Sequence, residues 1–486
     1  MIMFLDHFKT NCALGVAKIY QGLTIFPIIQ GEPKERTYLT LPEALEVEGV
    51  AISEIGGTGI VSQIGIKNSL ACPVLLIDGE ELVGAKQNRV VNTTILVAAQ
   101  SDVIIPVSCT EQGRWHRNSA HFDDSGVVLP PSVRGRKMAS VSRSMRETRE
   151  HSSDQGDVWD AISEFSAAAG KKSTTRAMRD VFAGFQPQIA EFQAALAPVE
   201  GQVGFFAIIG GRVSGLDFVS CTDAYQRLAP KLVAGYAVEA LVHGGLDADL
   251  ADLEEAQWFL DELDQCQEER FPGVSLGKEY RYQGAGIIGT ALAQDGQVIH
   301  ASFQRNAMAV PFPRSYWVES GRLLAGYYPG ASAKEEAEAK LEALLDAGIR
   351  CIITLVEEGE KNASQHALRS YQQLLARIAA SRGIEVTYVR IPVRDQDITS
   401  VPTMKIILDT IDSALAQNRP TYVHCWGGRG RTGTVVGCYL ARHGRATGEK
   451  ALARIVSLRR QEETRDQASP ENETQRDMVR QWGQGQ

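Results

Sequence analysis

Near the end of the chain an apolar, strand-like run, TYVH, meets a helical run, TGTVVGCYL, through the heptapeptide CWGGRGR (Cys425–Arg431). This junction constrains the fold more than any other stretch. A strand that passes through a glycine turn directly into a helix belongs to a sheet whose strands run parallel and are covered by helices. The upstream sequence repeats the alternation. AKEEAEAKLEALLDAG reads as a helix closed by Gly348, RCIITLVEEG as a buried strand, and SQHALRSYQQLLARIAASRG as a helix. EVTYVRIPV reads as a strand and VPTMKIILDTIDSALAQN as a helix. The region from about 311 to 486 is therefore expected to be an α/β domain with a mostly parallel central sheet flanked by helices.

The chemistry of the junction follows from its position. Backbone amides at a helix N-terminus point outward unpaired, and the helix dipole favours anions there. Gly427, Gly428 and Gly430 let the loop curl so that successive N–H groups face one centre. Cys425 enters this nest first, and such surroundings favour a thiolate over a thiol. Arg431 closes the loop with a planar fork suited to two oxygens of a phosphate. A thiolate beneath a phosphate cradle is placed for in-line attack on phosphorus, giving a cysteinyl-phosphate that water then hydrolyses. A nucleotide-binding loop of the GxxxxGK[ST] kind is excluded, because no Lys-Ser/Thr pair follows the glycines.

The string HCWGGRGRTG resembles the Cys-x5-Arg signature of the cysteine-dependent protein tyrosine and dual-specificity phosphatases. The resemblance covers about residues 311–486 and implies further roles. In RIPVRDQDITSVPTM, Asp395 matches the family's general acid, with Asp397 a rival two residues on. His424 corresponds to the residue that orients the loop from beneath, and Thr432 to the hydroxyl that bonds the thiolate. SPENETQRDMVRQW resembles the closing helix, in which Gln475 would position the hydrolytic water. SYWVESGRLLAGYYPG resembles the opening hairpin. The implied catalytic set is Cys425, Arg431, Asp395, Thr432 and Gln475. The implied substrate-binding set is His424, Trp426, Gly427, Gly428, Arg429 and Gly430. No metal and no cofactor is expected. The domain is short and lacks a phosphotyrosine-clamping Lys-Asn-Arg-Tyr segment, and Arg429 adds a charge inside the loop. Both point to a small polyanionic phosphomonoester over a protein phosphotyrosine. Arg429 equally fits a surface arginine.

Before residue 310 the pattern is different. Strand-like runs flank turn signals at Asp78-Gly79, Gly210-Gly211 and Asp295-Gly296, and helical spacing marks Val158–Leu196 and Asp223–Leu241. Residues 1–305 are expected to form a β-rich α+β domain. The polar, basic stretch Pro130–Gly156 reads as a mobile loop or an exposed helix. Polar residues concentrate in strand-like context at Glu80, Glu81, Lys86–Arg89 and Asn92, then at Cys109, Glu111, Gln112, Arg114 and Trp115. Lys86, Arg89 and Arg114 with Glu81 and Glu111 either bind a phosphorylated sugar or form buried ion pairs. Cys109 has no activating histidine beside it and is not read as a nucleophile. This region resembles the domain family associated with ADP-ribosylglycohydrolases and rhodanese-phosphatases, which implies nucleotide or ADP-ribose metabolism without fixing a reaction.

The 486-residue chain carries a formal charge of −9, which argues against a general nucleic-acid binder. Its apolar runs are too short to span a bilayer, and MIMFLDHFKT breaks a secretory pattern with Asp6 and Lys9. Eight cysteines without CxxC spacing fit reduced thiols, so a cytoplasmic location is expected. The expected partner is a phosphorylated protein or small molecule; the oligomeric state is left open. Two alternatives stand beside the phosphatase. One is a catalytically weak phosphate-reading domain joined to an N-terminal interaction module. The other is an N-terminal enzyme on ADP-ribose-like compounds whose phosphate the C-terminal domain trims.

Overall fold

A computed structural model describes residues 2–32, 34–56, 61–114, 119–171, 173–243, 253–284, 286–306, 310–319, 321–361, 368–459 and 462–486. Trp115 lies outside them. The chain divides into two compact units, Met1–Asn306 and Ala307–Gln486.

The first unit is β-rich. Among its described residues is a nine-stranded antiparallel sheet, ordered from Cys12–Leu14 through Leu23–Gln30, Gln202–Ile209, Arg212–Val219, Gln297–Arg305, Ile287–Gln294 and Lys278–Gly284 to Gln267–Pro272, with Lys18–Tyr20 beside Leu23–Gln30. A six-stranded closed barrel follows, ordered Ser101–Cys109, Gln63–Asn68, Val50–Glu54, Phe122–Val128, Glu80–Gly84 and Arg89–Val91. Apolar side chains fill both. Phe4, Phe206, Phe218 and Phe303 form one core with the sheet, while Leu228, Leu232 and Phe205 form another with the helix Thr222–His243. Ile52, Ile66, Leu82 and Val107 fill a third within the barrel strands.

Two of the three turn signals form hairpins, Gln202–Ile209 with Arg212–Val219 and Ile287–Gln294 with Gln297–Arg305. Asp78-Gly79 does not. It links Val74–Leu76, in a small three-stranded sheet, to Glu80–Gly84 in the barrel. The turn chemistry was read correctly, but its two strands pair with different neighbours. The stretch Pro130–Gly156 also differs from expectation. Pro131–Glu147 is a 17-residue helix, and Arg134, Lys137, Ser140 and Ser142 on it are buried. Its polarity faces inward. Arg134 pairs with Asp78 at 3.0 Å and Asp217 at 2.9 Å, and Lys137 meets Asp78 at 2.7 Å. Tyr236 donates to Asp217 at 2.8 Å. Burial draws the Lys137 ammonium down to about 8 against the pull of Asp78. Buried charges persist only when matched in this way.

In the second unit a mixed five-stranded sheet runs Ser315–Glu319, Leu323–Gly326, Thr421–His424, Cys351–Thr354 and Thr387–Arg390. The first pair is antiparallel, and the other three pairings are parallel. The helices Lys334–Asp346, Val401–Ala416 and Gly430–Arg442 contribute to its cores. No helix among the described residues is long and apolar enough to cross a membrane.

Candidate active site

The strand Thr421–His424 lies between two parallel neighbours, with Gly326 and Thr354 both in register with His424. The loop that follows therefore emerges at the carboxyl end of the sheet, where α/β folds build their sites. The helix Gly430–Arg442 starts within the loop, so amides of its first turn face the same end. Gly428 has φ of +78°, and a Cβ there would come within 2.7 Å of the Gly326 carbonyl carbon and Tyr327 nitrogen. Only glycine fits both demands.

Within this loop Cys425 is 3% exposed, and its Sγ accepts the Gly428 N–H at 3.2 Å. The Cys425 N–H donates to the Thr432 hydroxyl oxygen at 2.8 Å, and that hydroxyl donates to Gly326 O at 3.5 Å. Thr432 thus holds the backbone of the cysteine, whereas the resemblance aimed its hydroxyl at the sulfur. His424 is fully buried. Its Nδ1 lies 2.9 Å from the Cys425 carbonyl, which can only accept, so this nitrogen carries the proton. Its Nε2 then accepts from Tyr371 Oη at 2.5 Å. Burial, aided by the nearby Arg431 charge, holds the imidazole down to about 3 against the Cys425 carbonyl bond. A neutral ring is a fixed strut beneath the loop.

Arg431 is 3% exposed and doubly gripped. Its Nη1 donates to Glu360 Oε2 at 2.8 Å and to Val393 O at 2.9 Å. Its Nη2 donates to Glu360 Oε1 at 2.7 Å and lies 2.8 Å from Asp395 Oδ1. Burial would pull the guanidinium down, but the Glu360 hydrogen bond and the negative charge around it push it up. Sequence reasoning missed Glu360. Its only signal is the acidic run EEGE after a buried strand, which by itself reads as a solvated turn. Tyr371 was missed as well, because it sits in a helical stretch as an ordinary core aromatic.

The two candidate acids separate in space. Asp395 is half-exposed and reaches Arg431. Asp397 turns its Oδ1 to the Ile398 N–H at 2.8 Å. The closing helix Glu473–Gln481 holds their loop from the other side. Gln475 is fully buried, its Nε2 donates to the Asp397 carbonyl at 3.1 Å, and Asn472 Nδ2 donates to the Gln396 carbonyl at 2.8 Å. Gln475 also packs on Gly430, where a Cβ would lie 3.0 Å from its Oε1. The structure thus brings Cys425, Arg431, Asp395, Thr432, Gln475 and His424 together around one loop.

The remaining predicted residues line its edge. Trp426 is 36% exposed, and the Gly427 carbonyl accepts from Arg314 at 2.9 Å. Arg429 turns outward and pairs with Glu471 at 2.8 Å.

The polar stretch of the N-terminal unit behaves otherwise. Glu80 pairs with Lys231 at 2.6 Å, and Arg114 with Glu111 at 2.8 Å. Arg89 donates to Cys109 Sγ at 2.9 Å and to Gln87 at 3.2 Å. Burial pushes the Cys109 thiol up to about 11, against the pull of Arg89. Of the two readings offered by the sequence, ion pairs describe Arg114 and its neighbours. Among the described residues no group of three or more His, Cys, Asp and Glu side chains is arranged to hold a metal ion.

Residues 11–304 match the family model described as the ARG and Rhodanese-Phosphatase-superfamily-associated Protein domain. Residues 328–445 match a model described as a polymorphic toxin system DSP-PTPase phosphatase. The protein tyrosine phosphatase domain-containing protein 1 of Mus musculus is 24% identical over 190 residues, 38% of this chain and 25% of that protein. The phosphatidylglycerophosphate phosphatase PTPMT1 of Arabidopsis thaliana is 36% identical over 67 residues, 13% of this chain and 20% of that one. The chain thus spans a quarter or less of the length of these relatives. Among solved structures, Tk-PTP in its active form is 22% identical with a TM-score of 0.27, covering 35% of this chain and 97% of that one. PTPMT1 in complex with PI(5)P is 19% identical with a TM-score of 0.27, covering 35% and 94%.

Proposed function

The chain belongs to the family of the ARG and Rhodanese-Phosphatase-superfamily-associated Protein domain, and from the phosphatase model matched by residues 328–445 we propose that its C-terminal unit is a phosphatase acting through a Cys425 phosphoenzyme. One observation carries the reading: Cys425 Sγ accepts a loop amide while Nη2 of Arg431 meets a half-exposed carboxylate, Asp395, 2.8 Å away that a phosphate can replace. In this mechanism the phosphate of a phosphomonoester, of a protein or a small molecule, enters the loop and takes the Nη2 donor from Asp395. A dianion beside that carboxyl favours its protonated form. Sγ then attacks phosphorus. The S–P bond forms, the bond to the leaving oxygen breaks, and Asp395 gives that oxygen its proton. Gln475 orients the water that attacks next. The S–P bond breaks, the water's proton returns to Asp395, and inorganic phosphate leaves. Arg431 and the loop amides stabilise the charge on the three non-bridging oxygens throughout.

The test is Cys425→Ser assayed on p-nitrophenyl phosphate together with vanadate binding. Lost turnover with retained binding supports the mechanism, and turnover near that of the unaltered protein overturns it. Equal binding with no turnover by the unaltered protein favours a phosphate-reading domain instead.

A further inference from the structure

In the N-terminal unit the helix Pro131–Glu147 gives way to a short segment before the next helix, Gln155–Ala168. His151 lies in this segment. Its ring is 14% exposed, and its Nε2 lies 2.6 Å from Oε2 of Glu279, which is 1% exposed. The carboxylate is firmly seated on the strand Lys278–Gly284. Its Oε1 accepts from Thr93 Oγ1 at 2.8 Å and from Thr290 at 3.5 Å, and Arg281 pairs with it. Burial would raise this carboxyl, but Arg281, His151 and Thr93 outweigh it and bring it down to about 2. An ionised carboxylate accepts, so Nε2 donates. Nδ1 is then the ring nitrogen open to a further partner. Among the described residues Nδ1 has no hydrogen-bond partner, and it is not sealed from solvent.

His151 lines a cavity of about 320 Å³ with Ser62, Gln63, Glu150 and Ser152, and with apolar Ile104. That volume is at the small end for a ligand pocket. Its polar lining consists of hydroxyls, an amide, a carboxylate and the imidazole, and among the described residues no Lys or Arg lines it. An anionic group would face Glu150 with no cation to meet it. A neutral ligand with several hydroxyls finds donors and acceptors in alternation.

We propose that this cavity binds an uncharged polyhydroxylated molecule of monosaccharide size, one of whose hydroxyls bonds Nδ1 of His151. Glu279 acts through His151 as a positioning residue: it holds Nε2 and so leaves Nδ1 for the ligand. The site differs in ligand class from the C-terminal loop and does not depend on that loop's chemistry.

The experiment uses the full chain. Diethyl pyrocarbonate acylates accessible, unprotonated imidazole nitrogens, and peptide mass mapping scores each of the nine histidines. The expected result is that His151 is labelled, and that D-ribose or myo-inositol in the millimolar range protects it. Inorganic phosphate and ribose 5-phosphate should not protect it. Glu279→Gln should raise the polyol concentration needed for that protection by about tenfold, the scale of one charge-assisted hydrogen bond. Since that variant removes a buried charge, Thr93→Val, which removes only one donor to the carboxylate, gives a second reading with a smaller rise. Labelling of His151 that neither polyol slows overturns the proposal, as does stronger protection by ribose 5-phosphate than by ribose.

Discussion

Both units contain a buried arginine held by two carboxylates, and the comparison is instructive. Arg134 touches Asp78 and Asp217, each of them fully buried. Arg431 touches Glu360, also buried, and Asp395, which is half-exposed. In the first set every charge is matched by a partner that cannot leave. In the second, one partner is half-exposed, and the proposed mechanism has it yield its donor to an arriving anion. A cluster of charges in strand context is therefore not itself the mark of a site. The mark is a charge whose partner is replaceable.

The largest break of this comparison is expected from Cys425→Ser, with hydrolysis of p-nitrophenyl phosphate falling below detection and circular dichroism unchanged. Arg431→Lys should come close, because an ammonium has no fork, and its loss should be similar for every phosphomonoester tested. Next comes Arg134→Met. It strands Asp217 without its cation, while Asp78 keeps Lys137, and should cost about 3–5 kcal/mol in denaturant unfolding of the first unit. Unaltered stability there would show that the network is not matched as described. Asp395→Ala should lower kcat by about 10²-fold, most for poor leaving groups, and flatten the acidic limb of the pH profile. If Asp397→Ala does this instead, the acid lies two residues further on.

A smaller effect concerns His424. The folded ring titrates near 3 and an unfolded one near 6.5. Throughout that interval the unfolded chain binds the extra proton, so stability falls as pH drops, by about 1.4 kcal/mol per unit for this group. His424→Gln should flatten that slope in acid unfolding followed by fluorescence. The smallest effect is Arg429→Ala. With its charge already spent on exposed Glu471, turnover of p-nitrophenyl phosphate should stay within about twofold, as for surface pairs generally. A large loss confined to a doubly phosphorylated substrate would restore the polyanion expectation.

The C-terminal elements were legible because their signals are local. A strand, a glycine loop and a helix succeed one another between Thr421 and Arg442, and periodicity locates each. Gly428 shows both sides, since its positive φ is set within the loop, whereas the crowding at its Cβ comes from Gly326 and Tyr327, far earlier in the chain. Glu360 was not legible, because its partner lies 71 residues away and only the fold joins them. The helix Pro131–Glu147 failed for the opposite reason. Its basic face looks solvated until Asp78, from a turn, and Asp217, from a strand, arrive to neutralise it. Polarity patterns reveal burial only where the core is apolar. The Asp78-Gly79 turn teaches the same about sheets: local chemistry sets the bend, and distant strands decide the pairing.

The amides of Asn472 and Gln475 each clasp a carbonyl of the segment that bears Asp395. In the proposed mechanism the final helix is thus a splint for a reaction step whose sulfur lies some fifty residues earlier. A protease nick or stop codon just ahead of it would leave Cys425 and Arg431 in the sequence but remove the rigging that aims the proton. Damage at the tail would then show as slow turnover, with the nucleophile still in place.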